Sequence, residues 1–170
     1  MNAWRTIVWA GLLAGPAVVM APRLLMPPPS RVAAPAVAVA VEYGDFASAT
    51  LTTRAWDALK QGDHARVEAY VRMCATLYGE EAGKQQAGLS TLLPAAEAFS
   101  AWALNDVATA EFILGESLRA RRRFNEAQAV FARLVQDYPS AQCWDPRGWF
   151  WSVAQAAQVR LDHALRPAAP

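Results

Sequence analysis

Apolar residues recur at intervals of three and four along residues 108–141, with a polar break near Arg122. That spacing places apolar side chains on one face of a helix. The pattern predicts two helices folded back on each other, the second of which ends at Pro139 because proline cannot continue a helix. Gly115 has no Cβ, so we expect the two helices to approach closely there, with the small Ala127 facing the gap.

Two aromatic residues complete this predicted hairpin. Phe124 is expected to lie at the turn and cover the helix pair, and Phe131 to fill the apolar stripe. An earlier stretch has the same design, with predicted helices over 55–61 and 63–78. Gly62 supplies its turn, and the carboxylate of Asp63 is expected to cap the second helix.

The later hairpin resembles a tetratricopeptide repeat, with small residues where the helices meet, aromatics at the turn and stripe, and proline at the end. Its departure from the family is Arg122, where glycine is usual. The earlier hairpin resembles a degenerate repeat, because His64 replaces the turn aromatic and Val67 the small alanine. Residues 103–119 and 141–154 also resemble a group of small bacterial exported tetratricopeptide-repeat proteins.

The spacing of the two turns predicts an interruption between the repeats. Gly62 and Arg122 lie 60 positions apart, whereas tandem repeats of about 34 residues would place them about 34 or 68 apart. About 26 residues of different design are therefore expected between them. Within that stretch, Pro94 near a helix start predicts a helix from Thr91 to Leu104, after which Asp106 caps the next helix.

Large aromatic residues open the last predicted helix, which runs to Leu165. In a helical-repeat protein such a helix covers the apolar face of the final repeat. The alternative is an aromatic platform for a sugar or peptide, since tryptophan faces bind apolar sugar faces and act as interface anchors. The residues concerned are Trp144, Trp149, Phe150 and Trp151.

The first 41 residues follow a different pattern. Arg5 precedes Thr6–Pro22, a run of 17 residues without a charge, which is the layout of a secretory signal or signal anchor. The run is at the short end of the about 17–25 residues that span a bilayer. Cleavage after Ala21, cleavage after Ala40 and retention as an anchor all stay open. Prolines from Pro27 to Pro35 predict a stiff spacer.

These patterns divide the chain into a signal peptide or anchor at 1–26, a Pro/Ala-rich linker at 27–49 and a tetratricopeptide-like helical domain at 50–166. The predicted fold is all-α, a short array of helical hairpins with a C-terminal capping helix. It follows an N-terminal hydrophobic helix that contacts the membrane. We expect an extracytoplasmic, periplasmic location, with the protein either anchored or released after signal cleavage.

The composition of the chain excludes several classes of ligand and of functional site. The hydrophobic fraction is 54% and the formal charge +1, so neither nucleic acid nor a strongly acidic partner is expected. His64 and His163 are the two histidines, which excludes a multi-histidine metal site. Cys74 and Cys143 either form one disulfide or stay separate, since spacing does not fix pairing. No phosphate loop or nucleophile elbow occurs, so we predict no enzyme activity, no cofactor and no metal.

The resemblance implies a protein or peptide ligand on the first helix of a hairpin. Carried onto this chain, that surface is Thr109, Phe112, Glu116 and Arg119, which follow one another at steps of three and four. A competing interpretation packs Phe112 against the 91–104 helix and leaves the charges solvated. The basic cluster formed by Arg119 and residues 121–123 is either a solvated turn or a contact for acidic groups.

The function predicted from the sequence is a non-catalytic protein-interaction module of the bacterial cell envelope. The alternative is a carbohydrate-binding or hydrolytic envelope protein that uses Trp149, Trp151 and their aromatic neighbours. A peptide groove requires mixed polar and aromatic residues on the first helices, whereas a sugar site requires exposed, coplanar tryptophans. The identity of the partner and the oligomeric state are not encoded in these patterns.

Overall fold

The computed structural model describes residues 40–165. The predicted signal or anchor and most of the linker therefore lie outside the described residues, as do the last five residues. The described chain is mostly helical, which confirms the all-α character, and it adds one small antiparallel hairpin. The elements are α1 Ser48–Lys60, α2 His64–Ala87, a 3-10 turn Ala98–Ala101, α3 Trp102–Ala120, α4 Phe124–Asp137, β1 Gln142–Asp145, β2 Trp149–Ser152 and α5 Val153–Leu165.

The first hairpin joins α1 to α2 across Gly62 and Asp63, as predicted. Gly62 has φ 70°, and its N–H donates to Leu59 O at 3.0 Å, while Asp63 N donates to Ala58 O at 2.9 Å. This pair of bonds closes the end of α1 in a Schellman motif, which needs a left-handed residue. Asp63 Oδ1 accepts from Arg66 N at 3.1 Å, so the predicted cap is also confirmed. Helix α2 continues past the predicted end at residue 78.

The second hairpin, α3 and α4, closes with the same motif. Arg122 N donates to Arg119 O and Arg123 N to Leu118 O, both at 2.9 Å. Arg122 has φ 61°, which explains physically why glycine is usual at this position in the resembling family: a left-handed backbone is strained for a residue with a Cβ. Helix α4 ends at Asp137, two residues before Pro139.

The close approach at Gly115 occurs, and the ring of Phe131 takes part in it. A Cβ at Gly115 would lie against that ring, closer than van der Waals contact allows. Ala127 is buried, and its predicted place facing the gap stays a prediction. Phe124 is 54% exposed, so it does not cover the hairpin as expected.

The predicted helix over 91–104 is wrong. Residues up to Glu97 form turns, in which Glu97 N donates to Pro94 O at 2.8 Å, and α3 begins at Trp102. One reason is distant in sequence: Gln85 Oε1 accepts from Leu104 N at 2.9 Å, which satisfies a free N–H of the first turn of α3. Asp106 consequently lies inside α3 and caps nothing.

The aromatic stretch near the C-terminus is a β-hairpin instead of the start of the last helix. Trp144 pairs with Phe150 and Asp145 with Trp149, and Gly148, with φ 106°, lies in the connecting turn. Tryptophan and phenylalanine favour strands, and Pro-Arg-Gly favours a turn. Helix α5 starts only at Val153 and ends at Leu165, the predicted end.

Helix α3 is the centre of the packing. It contacts α1, α2, α4 and α5, while α5 packs mainly on α4. Its buried side chains include Leu104, Val107 and Ile113. Among residues 40–165, none of the helices combines the length and apolar character needed to cross a membrane.

Candidate functional site

A cavity of about 840 Å³ opens between α1, the first half of α3 and the β-hairpin. We call it the aromatic pocket. Its apolar lining consists mainly of aromatic rings from α1, the 3-10 turn, α3 and both strands, and its polar lining comes from α1, α3 and β1. The aromatic residues are Trp56, Phe99, Trp102, Trp144, Phe150 and Trp151, and the uncharged polar residues include Thr52, Asn105, Thr109 and Gln142.

The rings around the opening are exposed to an unusual degree. Phe99 is 64% exposed, and Trp102 and Trp144 are each 45% exposed. The rings nonetheless contact one another: Phe99 and Phe150 have centroids 4.9 Å apart, and Trp144 and Phe150 5.0 Å apart. Clustered exposed aromatics of this kind mark ligand grooves and interaction surfaces.

The pocket has three carboxyl groups, Asp57, Asp106 and Asp145, and Asp106 is the one that lies on α3. Ser48 Oγ donates to Asp106 Oδ2 at 2.5 Å, and Thr52 Oγ1 donates to the backbone O of Asp106 at 3.3 Å. Burial raises the pKa of Asp106, against the smaller lowering effect of the Ser48 hydrogen bond. No lysine, arginine or histidine of residues 40–165 forms an ion pair with it.

Side-chain amides position the segments that form the rim. Asn105 Nδ2 donates to Ala98 O at 2.8 Å, and Asn105 Oδ1 accepts from Gln142 N at 2.8 Å. Gln142 Oε1 accepts from Leu93 N at 3.0 Å. Gln86 makes two bonds to Ser140, through its Nε2 and its Oε1. These bonds connect the loop before α3 and strand β1 to α3 and to each other, so they position the rim of the pocket.

The four residues predicted from the first helix of the later hairpin do not form one exposed strip. Thr109 is 2% exposed and lines the aromatic pocket. Phe112 is 5% exposed and packs between Trp56 and Trp151 at centroid distances of 6.4 and 5.5 Å. Its predicted packing against a 91–104 helix is therefore wrong as well, since its neighbours lie on α1, α4 and β2.

The charged members of that predicted strip are bound to each other. Arg119 Nη1 lies 3.1 Å from Glu116 Oε2, and Arg160 Nε 2.6 Å from Glu116 Oε1. Glu116 thus joins α3 to α5. Neither residue lines the aromatic pocket. The four residues lie on one helix at steps of three and four, but their neighbours differ: Thr109 lines the pocket, and Glu116 pairs with Arg160 of α5.

The two predicted tryptophans differ in environment. Trp151 is half-buried and lines the aromatic pocket. Trp149 is 45% exposed and lies outside the pocket lining, with the guanidinium of Arg147 4.3 Å from its ring centroid. The hairpin therefore assigns one of them to the pocket and the other to the solvent-facing surface.

The basic cluster is largely neutralised by local carboxylates. Arg121 and Arg123 both pair with Glu68 of α2, and Arg123 also pairs with Glu126. This favours the solvated-turn interpretation over a contact for acidic lipids. The cysteines are free thiols, and burial raises the pKa of Cys74 to about 12, so the disulfide alternative is not realised in this structure.

Several pocket residues were not predicted from the sequence. Trp56 and Trp102 fall within predicted helices without a predicted role, and Asp106 was predicted as a cap, yet all three line the pocket. A usable signal was Asp106 itself, a single carboxyl in the otherwise uncharged stretch 98–110. Among residues 40–165 there is no group of three or more His, Cys, Asp or Glu side chains that could hold a metal ion.

Comparison of the chain with protein-family models, curated proteins and solved structures gives no match. The pocket is therefore the feature on which a function can be based.

Proposed function

We propose that this protein is a non-catalytic interaction module that binds a segment of a protein or peptide partner in the aromatic pocket. The observation that carries the proposal is the position of the pocket between α1 and α3, the first helices of the two hairpins. It combines aromatic walls for apolar side chains with threonine, asparagine and glutamine groups for peptide hydrogen bonds.

The proposed fold is a short tetratricopeptide-like array. The two turns share one hydrogen-bond pattern in which donors and acceptors differ by a constant 60 positions, as in Asp63 N to Ala58 O and Arg123 N to Leu118 O. Helix α3 packs on both helices of the first hairpin, and α5 packs on α4, as a capping helix would. The extra residues between the repeats are accounted for by the longer α2 and the loop that follows it.

The pocket favours binding over catalysis. Besides Asp106 its carboxyl groups are Asp57 and Asp145, and these two are paired with Lys60 and Arg147 at 3.1 and 2.9 Å. A glycosidase needs two carboxyls free to act on one bond, which this arrangement does not offer. We therefore propose no enzyme activity and no cofactor.

A sugar-binding role is the second candidate, and the orientation of the rings argues against it. Phe99, Trp144 and Phe150 meet at interplanar angles of 48° to 69°, so they form no flat platform. Trp149 has Arg147 over its ring. Peptide side chains, which enter between tilted rings, fit these walls better than a sugar face does.

A displayed library of random peptides tests the proposal, because it samples many ligand sequences at once. We expect the wild-type domain to enrich a shared motif, and Trp56→Ala or Trp102→Ala to weaken the enriched peptides at least tenfold, about 1.4 kcal/mol. Phe124→Ala is the matched control, because Phe124 is an exposed aromatic outside the pocket. Absence of any enriched motif, together with binding on a glycan array that Trp102→Ala abolishes, would replace the peptide proposal with the sugar one.

The location outside the cytoplasm is a separate proposal that rests on residues 1–41. A fusion of this segment to a reporter that is active only after export should give signal, and replacing Leu12 and Leu13 by arginine should abolish it, because charges there are costly in lipid. Full reporter activity without the segment would contradict the proposed periplasmic location.

A further inference from the structure

Asp106 is an unusual group to find in an aromatic pocket. It lines the cavity with six aromatic residues, and within the described chain no basic side chain pairs with it. The other carboxyls of the pocket have their own basic neighbours, Lys60 for Asp57 and Arg147 for Asp145. Asp106 is therefore the one carboxyl of the pocket that has no basic partner among the described residues.

A second buried carboxyl on the same helix shows what a purely structural arrangement looks like. Burial raises the pKa of Glu111 as it does that of Asp106. Glu111, however, has Arg133 Nη2 at 3.5 Å and does not line the pocket. One helix thus carries a desolvated carboxyl that is paired within the protein and another that lines an open cavity and has no basic partner among the described residues. Lys60 also lines this cavity, but it pairs with Asp57.

Aromatic rings around such a carboxyl favour one kind of ligand group. Ring faces attract cations by their quadrupole, most strongly in tryptophan, and a carboxylate behind them adds a full negative charge. The aliphatic stem of a long basic side chain also contacts apolar walls well. The walls of the pocket and Asp106 are therefore complementary to a cation at the end of an apolar stem.

We propose that the aromatic pocket binds a lysine side chain of the partner peptide, with its ammonium donating to Asp106 and its stem between the aromatic rings. This inference rests on the proposed peptide-binding function and specifies its ligand. It also assigns Asp106 a binding role, whereas the sequence analysis predicted only a helix cap at this position.

The hydrogen bonds of Asp106 favour lysine over arginine. Asp106 Oδ2 already accepts from Ser48 Oγ at 2.5 Å, so a side-by-side pair of bonds from a guanidinium to both oxygens would compete with that hydroxyl. Arginine gains much of its advantage from this two-bond geometry. An ammonium is a compact charge that needs only the free lone pairs, chiefly those of Oδ1.

Three small probes test the inference directly: the Nα-acetyl methylamides of lysine, norleucine and arginine. Norleucine keeps the apolar stem and lacks the charge. We expect lysine to bind at least tenfold more tightly than norleucine. Titrations that monitor indole fluorescence or indole N–H chemical shifts measure both affinities. Arginine is expected to bind more weakly than lysine. Equal affinity for lysine and norleucine, or tighter binding of arginine, would overturn the inference.

Two matched variants locate the effect. Asp106→Asn should reduce lysine affinity at least tenfold, to that of norleucine, while leaving norleucine affinity unchanged. Glu111→Gln removes the other buried carboxyl of α3 and should change lysine affinity less than twofold. Loss of lysine binding in both variants alike would contradict a specific role for Asp106.

The melting temperature of Asp106→Asn shows whether this variant loses lysine binding through loss of the charge or through loss of the fold. The groups near Asp106 include Ser48 on α1 and the thiols Cys74 and Cys143, whose pKa values are raised and which are neutral at pH 7. The charged groups that line the same pocket are paired, Asp57 with Lys60 and Asp145 with Arg147. Because the pKa of Asp106 is higher in the folded than in the unfolded chain, its ionised form disfavours folding at neutral pH. Asp106→Asn should therefore keep or raise the melting temperature at pH 7, and the gain should vanish at pH values below the ordinary pKa of aspartate.

The peptide library distinguishes the two proposals. If the wild-type domain enriches peptides with a fixed lysine and Asp106→Asn loses that preference, both proposals stand. Enriched peptides without a lysine preference overturn the lysine inference and leave the peptide proposal intact. A lysine probe that binds through Asp106 while no peptide is enriched supports the cation site and contradicts the peptide function.

Discussion

The two helical hairpins have the same turn geometry although the residues at their turns differ in side chain and charge. At the first turn the left-handed position is Gly62 and the next residue is Asp63, whereas the second turn has Arg122 and Arg123 there. Gly62 adopts this backbone without strain, while Arg122 does so at φ 61° at a cost of about 1–2 kcal/mol. The comparison shows that helix packing and the Schellman hydrogen bonds determine the turn, and local preference only adjusts its energy.

The interiors of the hairpins differ in a complementary way. Residues at the same offset of 60 are Ala55 and Gly115 on the first helices, and Val71 and Phe131 on the second helices. All three non-glycine residues are buried, and the Phe131 ring lies against Gly115. The first hairpin thus has a small and a medium-sized side chain at these positions, Ala55 and Val71. The second hairpin has glycine and a large ring, Gly115 and Phe131.

The largest effect is expected from filling the space at Gly115. Gly115→Ala forces the Phe131 ring to move and should cost about 1–3 kcal/mol of unfolding free energy, and Gly115→Leu should prevent folding. Chemical denaturation measures the cost. Because the equivalent positions of the first hairpin hold the smaller pair Ala55 and Val71, adding Phe131→Val to Gly115→Ala should recover part of the loss, which a double-mutant cycle detects as coupling.

Ala127→Leu tests the prediction that Ala127 faces the gap at Gly115. Ala127 is 1% exposed, so overpacking there should also cost about 1–3 kcal/mol. The two sites differ in one respect: Phe131→Val should rescue Gly115→Ala and leave Ala127→Leu unimproved. Rescue of both, or of neither, would contradict the pairing of Gly115 with Phe131.

Exchanging the turn residues should change the unfolding free energy by about 1 kcal/mol, with opposite signs at the two turns. Arg122→Gly removes left-handed strain and should raise the unfolding free energy, partly offset by a more flexible unfolded chain. Gly62→Arg should lower it by a similar amount, because a Cβ at Gly62 meets nothing within 4 Å and backbone strain is the main penalty. Thermal melts of both variants measure the pair, and a gain from Gly62→Arg would refute the equivalence of the turns.

The smallest effect concerns the ion pairs that join the two turns. Glu68 of α2 pairs with Arg121 and Arg123 of the second turn, and its side chain is 36% exposed. Glu68→Gln should cost about 0.2–1 kcal/mol, since exposed pairs are weak. The difference from the wild type should shrink in high salt because screening weakens the pairs. A salt-independent cost would indicate a packing role instead.

Features set by neighbouring residues are the ones that the sequence predicts well. The turn at Gly62 and the Asp63 cap depend on hydrogen bonds between residues within a few positions of each other. The loop before α3 differs from the predicted helix because its conformation depends on Gln85 and Gln142, which are distant in sequence from the groups they bond.

The aromatic pocket was beyond prediction for a related reason. Thr109 and Trp151 are predicted site residues that do line it, but the partners that complete it, Trp56 and Asp106, come from helices whose relative position the sequence did not reveal. The β-hairpin was missed because four aromatics and a Pro-Arg-Gly turn were fitted to a helical period where a period of two applied.

The amide bonds that hold the rim of the pocket also bear on the order of folding. The Gln86–Ser140 bonds span 54 positions and the Asn105–Gln142 bond 37, whereas each helical hairpin closes through neighbours. Contacts between distant positions carry a larger loop-closure cost and form later. We therefore expect the hairpins to appear first on the folding pathway, and hydrogen exchange to show the rim opening while the hairpins stay protected. A ligand held in the pocket would then slow the exchange of the rim amides before it affects those of the helices.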